Sequence, residues 1–458
     1  MVDRLTALDA SFLTLEGRHT PMHVGQVLIF ERPPGFDPAN VVERIGARLA
    51  ANPRLRQRVR SVPGRVANPV WVDDAAFDLD YHVRRSALPA PGSPAQLGEF
   101  VARVNAKLLD REHPLWEAYV VEGVADNHFA VVTKTHQAMI PELTSLDIAG
   151  LILDEESGAA GDGRWAPRPE PGSSGLLVEA IADAVRSPAG VVDTVRGGLG
   201  ELRANGRRAL GVGATLARAV RSSSDSPLAA EPGSARRFAM VETDLAVYRE
   251  VRARLARVNA DVNVNDIALA AVAGALRGWL GSRGEFVRAT TSLRAVVPVT
   301  MATSAGLGGS VQPVFVDLPI GENAPRVRLL QIAHAMHSQV GDAALAADRL
   351  AELGGFSAPT LHSLGARVGS ALGRRLFDLA VTNVPGPQRQ LHCAAAPLIA
   401  TYPVTPLAPG HALAIGLTSY RGRVFYGLNA DRDALPDLEV LAAVIPDALA
   451  ELLETAAA

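Results

Sequence analysis

The sequence predicts a mixed α/β fold with antiparallel signals, built as two halves of similar size around a long crossover. Three observations carry that expectation. Strand-like alternation and helical spacing succeed one another in both halves, without a regular βαβ series. Two Gly/Pro/Ser-rich stretches, GAAGDGRWAPRPEPGSSG and SSSDSPLAAEPGSA, bracket a middle segment of different composition. The chain has 458 residues, 48% hydrophobic and 20% charged, which is enough apolar matter for a large core. The expected divisions are residues 1–156, a linker and helical crossover at 157–235, and residues 236–458.

The elements follow in order. Residues 22–31, MHVGQVLIFE, mix β-branched and apolar residues and read as a strand. Val41, Val42, Ile45 and Leu49 give helical spacing over 38–51, with Asp37 placed to cap. Leu97, Phe100, Val101, Val104 and Leu108 repeat that spacing over 94–109. Residues 117–124 and 128–136 read as two strands around the turn Ala125-Asp126-Asn127, and 143–153 as a helix. The segment 176–222 is broadly helical and carries seven arginines against four acids. A basic amphipathic surface for anionic lipid and a packed crossover with solvated arginines are its two readings, the second favoured. In the second half FAMVETDL reads as a strand and 246–258 as a helix. Residues 265–281 form the strongest helix, with Asn265 as cap and Gly281 as stop. Strands are expected at 292–300 and 311–318, a helix at 323–340, and strands with turns across 396–427.

Charge and cysteine content exclude several classes. The formal net charge is -3, so no basic field exists for nucleic acid. The only lysines are Lys107 and Lys134. A single cysteine, Cys393, excludes an intramolecular disulfide framework and any multi-cysteine metal site. The first residues lack the pattern of a signal peptide, and no apolar run reaches the roughly 20 residues of a membrane span. A cytoplasmic protein is expected, with peripheral contact to a membrane or lipid body through 176–222.

Seven stretches, taken together and in order, resemble the bacterial wax ester synthase/diacylglycerol acyltransferase family. They are LTALDASFLTLEGRHTPMHVG (5–25), FDLDYHVRRSALPAPG (77–92), HPLWEAYVVEG (113–123), VNDIALAAVAGALRGWL (264–280), LRAVVPVT (293–300), TNVPGP (382–387) and SYRGRVFYGLNAD (419–431). The resemblance implies two CoA-dependent-acyltransferase-like domains with mixed sheets, flanking helices and a tunnel at their junction. It implies acyl transfer from acyl-CoA to a fatty alcohol or a diacylglycerol, with no cofactor and no metal. Pro114, Leu115, Trp116, Asn265, Asp266, Asn383, Pro385 and Gly386 match its scaffold motifs.

The chemical motif departs from the family. There a strand ends in His-His-x-x-x-Asp-Gly, whose second His removes the proton from the acceptor hydroxyl as it attacks the thioester. An alcohol is a poor nucleophile until a group with pKa near the operating pH takes that proton. The Asp holds the loop and the Gly permits a tight turn. Here the matching residues are His136, Gln137, Ala138, Met139, Ile140, Pro141 and Glu142. Gln137 stands at the base position and has no useful proton affinity near pH 7. Pro141 replaces the Asp and Glu142 the Gly. Ala302 stands where the family has an arginine, and Leu307-Gly308-Gly309 replaces Leu-Gly-Asn.

Substitute catalytic groups follow from the same residues. Strand alternation turns His136 away from the face of Gln137, so a core histidine is expected, with a local bulge as the alternative. Glu142 serves as a base if burial raises its carboxyl, and otherwise is a turn residue. Gln137 itself can donate a hydrogen bond to a carbonyl. His19 with His23, His334 with His337, His113, the run Gly306-Leu307-Gly308-Gly309, Ser145 and Ser310 are weaker candidates, each better explained by scaffold or surface. Three functions remain: an acyltransferase with a substitute base, a repurposed biosynthetic enzyme forming an ester, an amide or a ring, and a non-catalytic binder of acyl groups, lipid or a partner.

Overall fold

Two strands, β2 (His23–Glu31) and β7 (His128–His136), run antiparallel through the middle of the first sheet in a computed structural model. The structure describes residues 3–49, 52–65, 67–140, 152–153, 165–176, 178, 226, 228–258, 260–301, 310–352, 377–393 and 395–456. The expected helix at 143–153 and crossover at 176–222 fall almost wholly outside these residues. So do Pro141, Glu142, Ser145, Ala302 and the run from Gly306 to Gly309.

β7 pairs on its other side with β6 (Trp116–Val124), and β6 pairs in parallel with β5 (Val83–Ala87). The hairpin turns where the sequence expects it. Asp126 and Asn127 take left-handed φ of 59° and 58°, and His128 donates to the Ala125 carbonyl. That is the type I′ geometry matching the twist of a hairpin, and Asp and Asn tolerate it. A small sheet of β1 (Asp3–Arg4), β4 (Val70–Asp73) and β3 (Gln57–Arg60) lies beside this half.

Four further elements of this half are helices. They are α1 (Ala7–Leu15), α2 (Ala39–Arg48), the single turn α3 (Leu79–His82) and α4 (Pro94–Asn105). Asp37 accepts from Ala39 N at 2.8 Å, so it covers the start of α2 as expected. Ser93 and Gln96 close a capping box on α4.

The second sheet has the order β10 (Ser310–Leu318), β9 (Leu293–Met301), β11 (Leu379–Pro385), β14 (Leu413–Tyr420), β15 (Arg423–Asp431), β8 (Arg236–Asp244). Helices α5 (Leu245–Ala256), α6 (Val264–Ser282), α7 (Pro325–Glu352) and α8 (Leu438–Thr455) belong to this half. The sequence reading left α8 unassigned. α6 is buried from Asp266 to Leu276 and again at Trp279 and Leu280, which explains its apolar run. Its cap is Asn263, which closes a capping box with Asp266. Asn265 is already helical, so its expected capping role is corrected. The stop is also later than Gly281. Gly284, at φ 73°, ends the helix, with Gly284 N bonded to Gly281 O and Glu285 N to Leu280 O.

The strand pairing crosses the expected division at 236. β12 (His392–Cys393) and β13 (Ala396–Val404) leave the second half and complete the first sheet, β13 pairing with β2 from Leu398↔Phe30 to Val404↔Gly25. Where β13 ends, it passes against the second sheet at two glycines that face each other in register, Gly416 and Gly427. A Cβ on Gly427 would stand 1.9 Å from the Pro403 carbonyl oxygen, and one on Gly416 2.7 Å from Pro403 Cβ. Only hydrogen fits there. Gly427→Ala should therefore destabilise the protein by about 1–3 kcal/mol or more through overpacking against backbone. A denaturant midpoint equal to that of the parent would contradict this. No helix among the described residues is long and apolar enough to cross a membrane.

Candidate active site

The site grows from the end of β7, which is buried from Phe129 to His136. Two backbone bonds fix where that strand stops. His136 N donates to Leu115 O and Gln137 N to Met22 O, both at 2.9 Å. The chain then enters a tight turn over Gln137–Met139, closed by Ile140 N to Gln137 O at 3.1 Å. The Pro114-Leu115-Trp116 run thus has a physical task, because Leu115 supplies the acceptor for His136. Trp116 holds that run in place. Its indole N–H donates to Leu55 O at 2.8 Å, and its ring stacks on His82 at 4.6 Å. His82 Nδ1 lies 2.7 Å from Trp116 O.

His136 is fully buried, and each of its ring nitrogens faces one group. Nδ1 accepts from Ala138 N at 3.0 Å, inside the turn. A neutral ring whose Nδ1 accepts carries its proton on Nε2. Nε2 lies 3.4 Å from Glu16 Oε1, and His23 Nε2 lies 3.1 Å from the same oxygen. Met22 N also donates to it at 3.3 Å, while Arg111 Nη2 donates to Oε2 at 2.9 Å. Burial alone would raise the Glu16 carboxyl. Contacts with His136, His23 and Arg111 outweigh burial and hold it well below the usual carboxylate range. Burial pushes His23 down to about 4, so its ring is neutral at pH 7.

Gln137 is half-buried, and its side-chain amide makes no hydrogen bond among the described residues. The sheet register shows what lies beside it. Gly25 pairs with Lys134 on one side and with Val404 on the other. Thr405, next along, is therefore two strand spacings, about 10 Å, from the end of β7. Thr405 ties this edge to the second half. Its Oγ1 is 3.1 Å from Thr382 Oγ1, and its carbonyl accepts from Asn429 Nδ2 at 2.8 Å. One residue past Thr382, Asn383 Nδ2 donates to Asn265 Oδ1 at 3.1 Å. Two expected scaffold motifs, 118 residues apart, thus meet next to the end of β13. Asp266 instead serves the α6 cap; burial raises its carboxyl. Pro385 ends β11, paired with Ser419, and the carbonyl of Gly386 accepts from Gln388 Nε2 at 3.1 Å.

The weaker candidates do not gather. His19 is exposed and offers only its carbonyl, to Arg236. His334 and His337 are exposed on α7. His113 packs on the Tyr81 ring at 4.1 Å, with Asp74 at 3.6 Å. Among the described residues no group of three or more His, Cys, Asp or Glu is placed to hold a metal ion. A cleft of about 690 Å³ between α4, β8 and α8 is lined by Arg103, Arg236, Phe238 and Ala442 but by none of the candidate catalytic residues.

Sequence reasoning missed Glu16, Arg111, Lys134 and Thr405. Lys134 is fully buried, donates to Lys107 O at 2.5 Å and is pushed by burial down to about 8, with Glu117 Oε2 3.8 Å away. The available signal was alternation. Lys134 and His136 share one face of β7, so a lysine in a strand whose first part is Phe129-Ala130-Val131-Val132 marks a buried polar layer at its end.

These burials set a pH dependence. His23 and His82 are both held down by burial to about 4. Unfolded, each titrates near 6.5. Between pH 6.5 and 4 the unfolded chain binds protons that the native state refuses, so native stability falls as pH falls. Each histidine contributes about 3 kcal/mol over that window, at roughly 1.4 kcal/mol per pKa unit. The depressed Glu16 adds loss of the same sign at lower pH. Urea midpoints should drop from pH 7 to pH 4.5, and less steeply in His82→Phe, which keeps the stacked ring. A flat profile would refute the assignment.

Known proteins share this architecture. Residues 5–268 match the wax ester synthase/diacylglycerol acyltransferase catalytic domain, and residues 307–453 the WS/DGAT C-terminal domain. The probable diacylglycerol O-acyltransferase tgs3 of Mycobacterium tuberculosis is 43% identical over 264 residues, which cover 56% of this chain and 97% of the relative. Its counterpart tgs1 from the same organism is 30% identical over 473 residues, 99% of this chain and 96% of that one. The wax ester synthase/diacylglycerol acyltransferase from Marinobacter aquaeolei VT8 superposes with a TM-score of 0.69 at 26% identity, each chain covered completely. The first condensation domain of the calcium-dependent antibiotic synthetase gives a TM-score of 0.56 at 14% identity over 100% of this chain and 97% of that one, a likeness of fold alone.

Proposed function

The chain belongs to the wax ester synthase/diacylglycerol acyltransferase family and has its two-domain acyltransferase fold, and from that premise we propose that it binds acyl-CoA or a related acyl lipid without transferring the acyl group by the family's histidine chemistry. One observation carries the reading. Position 137, where the family resemblance expects the base, holds a glutamine, and the adjacent His136 has both ring nitrogens directed to Ala138 N and Glu16. A ring so engaged has no free lone pair to take a proton from an alcohol.

The intact scaffold supports retention of the binding architecture. Leu115 still sets the end of β7, and Asn265 still meets Asn383. Gln137, free of partners among the described residues, can donate to a thioester or ester carbonyl, which favours binding or positioning over proton removal.

Two measurements on the natural protein test this. Long-chain acyl-CoA should bind in a direct titration. Release of CoA with long-chain alcohol or diacylglycerol acceptors should fall ~10²–10⁴ below an active family member, the usual worth of a general base. Turnover at the rate of such a member, lost on His136→Ala or Glu142→Gln, would instead identify a substitute base and overturn the reading.

A further inference from the structure

We propose that Glu16 is the positioning residue for the turn that carries position 137, acting by holding the His136 ring in a single tautomer. This rests on the reading that position 137 faces the reacting centre.

Glu16 reaches the turn by two routes. In the first, the His136 ring bridges the Glu16 carboxylate, 3.4 Å from Nε2, to the backbone N–H of Ala138, 3.0 Å from Nδ1. In the second, Glu16 Oε1 accepts from Met22 N, and the Met22 carbonyl accepts from Gln137 N. The routes meet on consecutive residues, 137 and 138. Glu16 is itself anchored, since its own N–H bonds back to Phe12 O at 3.0 Å where α1 ends.

The arrangement needs a carboxylate. The charged or titratable groups facing it are His23, His136 and Arg111, with Lys134 on the same face of β7. Two imidazole edges, one backbone N–H and one guanidinium converge on its two oxygens. A carboxylate offers about four lone-pair sites and no donor, whereas an amide gives up half of those sites and adds N–H groups. If the His136 proton moved to Nδ1, it would meet the Ala138 N–H, donor against donor. Ionised Glu16 prevents this by keeping the proton on Nε2. Nothing in this scheme depends on the residue at 137, so the same device would present a histidine there.

The test is a long-range ¹H–¹⁵N correlation spectrum of the full-length protein, with ring-¹⁵N histidine, at pH 7. The His136 signals are identified by their loss in His136→Asn. In the natural protein they should be widely separated, in the pattern of an Nε2-protonated ring. In Glu16→Gln they should draw together as the other tautomer is populated, and the Ala138 amide should exchange about tenfold faster, the factor for losing one typical hydrogen bond. Arg111→Gln, which leaves the carboxylate in place, should preserve the Nε2-protonated pattern. An Nδ1-protonated or doubly protonated His136 in the natural protein would overturn the proposal, and so would a spectrum unmoved by Glu16→Gln. Should that variant not fold, Glu16→Asp withdraws the carboxylate by one methylene and serves the same comparison. The spectrum reads the ring whether or not CoA is released: a spectrum unmoved by Glu16→Gln ends this proposal alone, whereas an Nδ1-protonated ring would also free Nε2 and count against the proposed function, which the CoA-release assay tests separately.

Discussion

The triple change Gln137→His, Pro141→Asp, Glu142→Gly should raise CoA release from long-chain acyl-CoA by ~10²–10⁴ over the natural protein, the span a positioned general base supplies. Room for the imidazole exists, since Gln137 is half-buried and its side chain is unbonded among the described residues. The backbone is already placed, because Gln137 N is held by Met22 O and the preceding residue by Leu115 O. Gln137→His alone should recover only part of the gain. Pro141 lacks a backbone N–H and fixes its φ, so a loop built around Asp and Gly at 141 and 142 would not form over it. The comparison is informative both ways. A gain means that the acyl site is intact and lacked only its base. A silent triple variant that still binds acyl-CoA would show that the pocket has been reshaped for something else.

Trp116→Ala should cost about 3–5 kcal/mol of stability, the usual range for emptying a buried aromatic site. The indole is completely buried, stacks on His82 and donates to Leu55 O. Removing it leaves a cavity and orphans the Leu55 carbonyl. It also loosens Leu115, whose carbonyl sets the end of β7, so acyl-CoA binding should weaken together with stability. Trp116→Phe separates the causes. It keeps a ring against His82 but drops the N–H and part of the indole, so its cost should be smaller, about 1–3 kcal/mol, from an unmet buried acceptor and a smaller cavity. Equilibrium denaturation of the three proteins measures this; equal midpoints for Trp116→Ala and the parent would remove Trp116 from the account.

Much of the local structure was legible. The paired strands at 22–31, 117–124 and 128–136, with their Asp-Asn turn, follow from side-chain alternation and from the few residues that accept left-handed φ. The helix at 265–281 was equally plain, yet its cap was misplaced by two residues. Asn263 and Asn265 are chemically equivalent as caps, and only the reciprocal bond with Asp266 selects the first. Strand alternation also predicted a core histidine at 136, and His136 is fully buried, though alternation could not name what it would meet.

Two things were decided by the sequence alone, because they depend on residue chemistry or on neighbours along the chain. One is the order of the elements with clear periodicity, among them the strands at 22–31, 117–124 and 128–136 and the helix at 265–281. The other is that position 137 carries a side chain with no proton affinity near neutral pH, which no folding alters. Tertiary structure alone decided that β13 crosses back to complete the first sheet, and that Gly416 and Gly427 admit it. It alone brought Glu16, His23, Arg111 and His136 together, and set Asn383 against Asn265. The physical reason is common to all of these. Each joins segments far apart in sequence, or depends on which face of a strand is covered and by what. Periodicity reports that a face is buried; it carries no record of the partner that buries it.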